Sequence, residues 1–141
     1  MPWGLMLCVL FLGGALAGCD GPNRGSDTNP SSASGFILEM VASPNVVRGQ
    51  TAGSEVTGGG CSNVQAKVFD TKGNLIDGAI VDFTTTLCCF ASPTGIDKVG
   101  LTVPTTRGTA TVTYCGTRER GTTTITGTVE DAFDTVLITV F

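Results

Sequence analysis

Apolar and polar residues alternate in short segments along most of the chain, which is the pattern of β-strands with one buried face. Clear examples are Val64, Ala66 and Val68 in one segment and Val136, Ile138 and Val140 in another. With the turn residues between them, these segments predict seven strands, at residues 36–42, 62–70, 79–86, 98–103, 109–115, 122–130 and 134–141. Because no segment repeats apolar residues at helical spacing, we predict an all-β domain, a seven-strand antiparallel sandwich.

Turn chemistry supports the proposed strand order. The run Asp70-Thr71-Lys72-Gly73-Asn74 predicts a hairpin turn, since glycine and asparagine tolerate a positive φ, and Asp77-Gly78 predicts a second turn before the third strand. On the last strand Val136, Ile138 and Val140 are expected to face inward, which leaves Leu137 and Phe141 to cover an edge or a loop.

The N-terminal region follows a different pattern. Its apolar run from Leu5 to Gly18 has about 14 residues, whereas a membrane-spanning helix needs roughly 20. The run ends in small residues before Cys19, which predicts a secretory signal peptide at 1–18. Residues 19–35 are rich in Gly, Ser, Asn and Pro and cannot form a core, so we expect a flexible tether there and one folded domain at 36–141.

Leu16-Ala17-Gly18-Cys19 resembles the lipobox of bacterial lipoproteins. The resemblance implies that Cys19 becomes the first residue after cleavage and carries a thioether-linked diacylglycerol, with palmitate-type chains that hold the protein to a membrane. It also implies a place in the bacterial cell envelope, at the outer membrane and cell surface or at the periplasmic face of the inner membrane. Covalent lipid at Cys19 would be the only membrane attachment.

Two further stretches carry a second resemblance. Residues 69–86, FDTKGNLIDGAIVDFTTT, and residues 107–113, RGTATVT, are similar to the bacterial Ig-like domains of the invasin and intimin group. That family consists of non-catalytic β-sandwiches in adhesins and surface stalks, so the resemblance implies an Ig-like module with a structural or adhesive role. The chain has one such unit, so the alternative is an accessory binding subunit of a larger envelope or secretion complex, docked by strand addition or loop contact.

Four cysteines remain for the exported domain, namely Cys61, Cys88, Cys89 and Cys115. If the strands alternate in direction, all four lie at one end of the sandwich, and an even number in an exported domain predicts two disulfides. A ring between adjacent cysteines is strained, so we expect Cys88 and Cys89 each to bond to Cys61 or Cys115. A redox role for the adjacent pair and a zinc site are alternatives, but the chain has no C-x-x-C motif and no histidine.

Catalytic and metal-binding chemistry find little support in the sequence. Without histidine there is no Ser-His-Asp or Cys-His arrangement, and the carboxylates Asp70, Asp77 and Asp82 suit turns and a solvent-facing strand position. Glu130, Asp131 and Asp134 form an expected acidic loop that lacks the calcium-loop pattern. We therefore expect no enzyme, no cofactor and no metal.

Charge indicates what kind of partner the domain can have. The formal net charge is -4 and the basic residues are scattered, so the domain lacks the basic stripe that nucleic acids require. Arg118, Glu119 and Arg120 are expected in an exposed loop at the same end as the cysteines. They are a candidate contact surface for an envelope or surface protein.

Overall fold

A computed structural model describes residues 33–49, 60–92, 95–116 and 118–141, with backbone alone for residues 92 and 95–98. The predicted signal peptide, the lipidation site Cys19 and most of the predicted tether lie outside the described residues. So do residues 50–59, which include most of the glycine-rich segment before Cys61.

The described chain is all-β and forms two five-stranded sheets. Its strands are β1 Ile37–Ser43, β2 Val46–Val47, β3 Cys61–Phe69, β4 Ile80–Thr85, β5 Phe90–Ser92, β6 Gly95–Lys98, β7 Gly100–Pro104, β8 Thr109–Cys115, β9 Gly121–Val129 and β10 Ala132–Val140. The first sheet has the strand order β1-β3-β8-β5-β6, and the second sheet has the order β2-β10-β9-β4-β7. The two sheets enclose one hydrophobic core.

Each of the seven predicted segments overlaps a strand, but the prediction of seven strands is wrong because the described residues contain ten. The additional strands β2, β5 and β6 have 2, 3 and 4 residues, too few to show an alternating pattern. The sheets are also not wholly antiparallel, since β2 pairs with β10 in parallel. The coarse prediction of an all-β fold with two sheets is confirmed.

Both lateral sides of the sandwich are formed by chain segments that change sheet. Pro44 and Asn45 separate β1 in the first sheet from β2 in the second, and Val99 separates β6 in the first sheet from β7 in the second. The amide of Met40 in β1 donates a hydrogen bond to Oδ2 of Asp134 in β10, at 2.7 Å. Asp134 thus joins the two sheets, which corrects its predicted place in an acidic loop: the turn after β9 is so tight that β10 already begins at Ala132.

The core is built from the inward positions of the alternating segments. Val136, Ile138 and Val140 are buried as predicted, while Leu137 remains 61% exposed. Phe83 of the second sheet meets Phe90 of the first sheet edge to face, with ring centroids 6.5 Å apart. Phe90 meets Tyr114 in the same way at 6.3 Å. The Phe83–Phe90 contact joins the two sheets, whereas Phe90 and Tyr114 meet within the first sheet; aromatic quadrupoles favour the edge-to-face arrangement of both pairs.

The sandwich has two ends, named here the tether pole, after the tether predicted from the sequence, and the cysteine pole. At the tether pole lie the start of β1, the end of β3 and the turn at 130–131. At the cysteine pole lie Cys61 at the start of β3, Cys115 at the end of β8, and the loop 86–89. Because β3 has nine residues, the two poles are about 26 Å apart.

Candidate functional site

The cysteine pole contains a disulfide between neighbouring strands of the first sheet. Cys61 and Cys115 are register partners in the antiparallel β3–β8 pair, with their Cα atoms 4.1 Å apart, and they form a disulfide. The pairing of residues 61–67 of β3 with residues 109–115 of β8 already places the two side chains together. The bond therefore fastens the end of a strand pair.

Cys88 and Cys89 form the second disulfide, with each other. The prediction that each would reach Cys61 or Cys115 is wrong, because strand register commits those two residues to one another. Cys89 instead contacts Cys115 through the backbone, where the Cys115 amide donates to the Cys89 carbonyl at 3.1 Å. The prediction that all four cysteines share one pole is confirmed.

A buried hydrogen-bond network positions the loop that carries the adjacent cysteines. Thr123 is fully buried on β9, and its Oγ1 lies 2.8 Å from Oγ1 of Thr85. It also accepts a hydrogen bond from the amide of Leu87 at 3.1 Å. The hydroxyl of Tyr114 donates to the carbonyl of Cys88 at 3.2 Å. Burial raises the pKa of Tyr114 above its ordinary value, which favours the protonated form that donates this hydrogen bond.

Sequence reasoning missed this network. The relevant signal was present: Thr123 shares the inward face of β9 with Ile125 and Val129, so a polar side chain at that position needs a buried partner. The identity of the partner depends on how β4 and its following loop pack against β9, which no local pattern specifies.

Two glycines at the cysteine pole allow three backbone segments to pack closely against one another. Gly60 donates its amide to the Arg48 carbonyl at 2.9 Å, and Gly116 donates to the Gly60 carbonyl at 3.0 Å. A Cβ atom at Gly60 would lie 2.8 Å from the Arg48 nitrogen, and one at Gly116 would lie 2.7 Å from the Arg48 oxygen. Real side chains do not approach backbone so closely, so both positions require glycine for this packing.

Among the described residues, the charged side chains near the cysteine pole are mostly basic. Arg118, Glu119 and Arg120 are exposed in the segment before β9, as the sequence predicted, and Arg48 is exposed after β2. Backbone hydrogen bonds connect Arg48 to Gly60 and Gly60 to Gly116, so Arg48 lies beside the segment that carries Arg118 and Arg120. The arrangement can attract acidic groups.

The tether pole holds the chain where it joins the sandwich. Asp131 accepts a hydrogen bond at Oδ2 from the Ala33 amide at 2.6 Å and one at Oδ1 from the Ser34 amide at 3.2 Å, and the Ser34 hydroxyl also donates to it. The Ser34 hydroxyl is the main reason that the pKa of Asp131 lies below its ordinary value. The carboxylate of the predicted acidic loop thus binds the chain's own backbone.

The other singled-out carboxylates have structural roles in turns or face solvent. Asp70 accepts at Oδ1 from the amides of Lys72 and Asn74, both at 2.8 Å, and the Asn74 side chain is the main cause of its lowered pKa. Asp77 accepts from the Arg107 amide at 2.7 Å, which joins two turns. Asp82 is exposed on β4. The interpretation of these aspartates as turn and surface residues is confirmed.

The described residues contain no cluster of three or more His, Cys, Asp or Glu side chains that could hold a metal ion. Within the same residues there is no helix with the length and apolar character needed to cross a membrane.

Comparison of the sequence with models of known protein families and with curated proteins finds no match.

Proposed function

We propose that the chain is a lipid-anchored module of the bacterial cell envelope, an Ig-like sandwich with a structural or adhesive role and no catalytic activity. Its attachment would be covalent lipid on Cys19, and its contact surface would be the cysteine pole. The observation that carries this proposal is the position of the Asp131 contacts. They hold Ala33 and Ser34 at the pole opposite the disulfides.

The distance between the poles supports a display function. If the residues between Cys19 and Ala33 form the tether expected from the sequence, that segment spans roughly 20 Å, and the sandwich adds about 26 Å. The cysteine pole would then lie roughly 45 Å from the acylated residue, beyond the lipid headgroups. The Cys61–Cys115 disulfide at this far end would keep the ends of β3 and β8 together against proteases and mechanical load, because it prevents local opening of the paired strands.

The Ig-like assignment is supported by where the resembling residues fall. Residues 69–86 cover the end of β3, the turn and the whole of β4, and residues 107–113 cover most of β8. These strands belong to both sheets and carry buried side chains such as Val81, Phe83 and Val112. The resemblance therefore covers core-forming strands as well as turns.

Lipidation is tested with two cysteine variants of the full chain in a bacterial host fed with labelled palmitate. Cys19→Ser should abolish the label and release the protein from membranes into the soluble fraction. Cys8→Ser is the matched control, since Cys8 lies in the same predicted signal segment, and it should keep both the label and the membrane location. Label that persists in Cys19→Ser, or a wild-type chain that stays unlabelled in the cytosol, would refute the anchor.

Adhesion is tested with cells that display the chain and no other adhesin. We expect them to bind matrix or neighbouring-cell material, and Arg118→Ala with Arg120→Ala should weaken that binding. Lys67→Ala with Lys72→Ala removes the same charge away from the cysteine pole and is the control. Equal binding by all displayed forms and by cells without the chain would exclude an adhesive role and leave the structural one.

A further inference from the structure

The outer face of the second sheet has an unusual composition. Eight threonines point outward there: one on β4, one on β7, four on β9 and two on β10. The four on β9 are Thr122, Thr124, Thr126 and Thr128, which alternate with inward-facing residues. Asp82 is the one charged side chain at the outward strand positions of this sheet, and it accepts a hydrogen bond from Thr102 at 2.5 Å.

Exposed apolar side chains concentrate on the same face. Eight large hydrophobic residues are exposed in the described chain, and five of them are at outward positions on or beside this sheet: Val46, Ile80, Phe133, Leu137 and Phe141. Leu137 is 61% exposed and Phe133 is 51% exposed. A sheet face with several exposed apolar side chains and a single charge has the composition that is typical of the centre of a protein interface.

The outer face of the first sheet differs. It carries Glu39 and Lys67 as cross-strand partners, together with exposed Asn63 and Gln65. Such a face is well solvated without a partner. The contrast indicates that the second sheet, and not the sandwich in general, has a surface suited to association.

We infer that the outer face of the second sheet packs against the same face of a second copy of this chain. The chain has a formal net charge of -4, so the net electrostatic interaction between two copies is repulsive. The face with a single charged residue is where that repulsion is least. A two-fold symmetric contact also uses one patch on both copies, so it needs no complementary site elsewhere.

The area of the face fits a modest but specific dimer. The strands of the second sheet contain 2, 9, 9, 6 and 5 residues. At a rise of about 3.3 Å per residue and a spacing of about 4.8 Å between strands, they cover roughly 500 Å². Side-chain relief increases the accessible area beyond this projection. Two copies therefore bury more than about 1,000 Å², the lower range of biological interfaces.

The direction of the strands allows both copies of the dimer to be attached to one membrane. This part of the inference rests on the proposed lipid anchor. A two-fold axis parallel to the strands leaves both tether poles at the same end of the dimer. Both acylated cysteines could then enter the same bilayer. Confinement to that surface raises the effective concentration of each copy for the other, which favours a contact of modest area.

The test uses the full chain in its native membrane, with two differently tagged copies and a benzoylphenylalanine photocrosslinker at Leu137. We expect a product of twice the chain mass that contains both tags. Val41 is the control position, because it is an exposed aliphatic residue, at 48%, on the outer face of the first sheet. Crosslinks from Leu137 to another protein or to polysaccharide alone, or equal self-crosslinking from both positions, would overturn the inference.

Charge substitutions give a second, quantitative measurement on the full chain in mild detergent. Leu137→Arg should raise the dissociation constant at least about 30-fold, which corresponds to about 2 kcal/mol. Val41→Arg should leave it unchanged, and peptide mapping of the Cys61–Cys115 disulfide should show that both variants are folded. An unchanged constant in folded Leu137→Arg contradicts the dimer. Cys19→Ser should lose its lipid label yet still dimerise in solution, so failure of the anchor and failure of the interface give different results.

Discussion

The disulfide pairing leads to a large and specific effect on stability. Replacing Cys61 and Cys115 together by alanine should lower the free energy of unfolding by about 4 kcal/mol, because their separation of 54 residues determines how much the cross-link restricts the unfolded chain. A domain of this size is stable by roughly 5–15 kcal/mol. The loss should therefore appear as a decrease in Tm of roughly 15–30 °C.

The control is the double replacement of Cys88 and Cys89 by alanine. A bond between adjacent residues restricts almost none of the unfolded chain, so we expect a loss of about 1 kcal/mol from the truncated side chains alone. Urea titration followed by circular dichroism measures both variants, each in a full chain that carries Cys19→Ser to remain in solution. Crossed pairing of the four cysteines would make the two losses equal and large, and that result would refute the pairing described above.

Four further substitutions test other parts of the structure. Gly108→Ala should lower the free energy of unfolding by more than about 2 kcal/mol in urea titration, because φ is +75° and the new Cβ would lie 2.5 Å from Cβ of Leu75. Gly73→Ala is the control: φ is +83° but no atom lies within 4 Å of the new Cβ, so the free energy of unfolding should fall by only about 1 kcal/mol. Hydrogen bonds from Ser34 lower the pKa of Asp131 below 3.8, so its stabilising effect is complete above the unfolded-state pKa and is lost as the pH falls through the folded-state pKa. Asp131→Ala should reduce that acid dependence and speed hydrogen exchange of the two amides that donate to it, and unchanged exchange would contradict the contact. Burial raises the pKa of Tyr114 above 10.0, so stability should fall as the pH rises past about 10, and Tyr114→Phe should remove that alkaline loss at a cost of about 1 kcal/mol at neutral pH.

Alternation of apolar and polar residues was sufficient to locate most of the strands. The prediction at 109–115 coincides with β8, and the prediction at 122–130 is displaced from β9 by one residue at each end. The turn at Asp70 was also readable, since its carboxylate bonds to amides only two and four residues away. These features are local, and local chemistry is what a sequence shows directly.

The short strands and the side-chain partners could not be obtained in this way. Two residues of β2 join β10 only because the chain changes sheet after Pro44. Asp134 was assigned to a loop, yet it bonds to the amide of Met40, which is 94 residues away. The partners of Thr123 are 36 to 38 residues distant. Each of these contacts depends on which strands become neighbours in the folded domain.

The four cysteines show most clearly which features the sequence determines and which the tertiary structure decides. The sequence determined by itself that they gather at one end, because strand length and direction follow from the period of two and the positions of the turns. The tertiary structure alone decided their bonding, since the register of β3 against β8 places Cys61 opposite Cys115. It also decided that the threonines and exposed apolar residues of five strands share one face, because a face is created by strand pairing between distant parts of the chain.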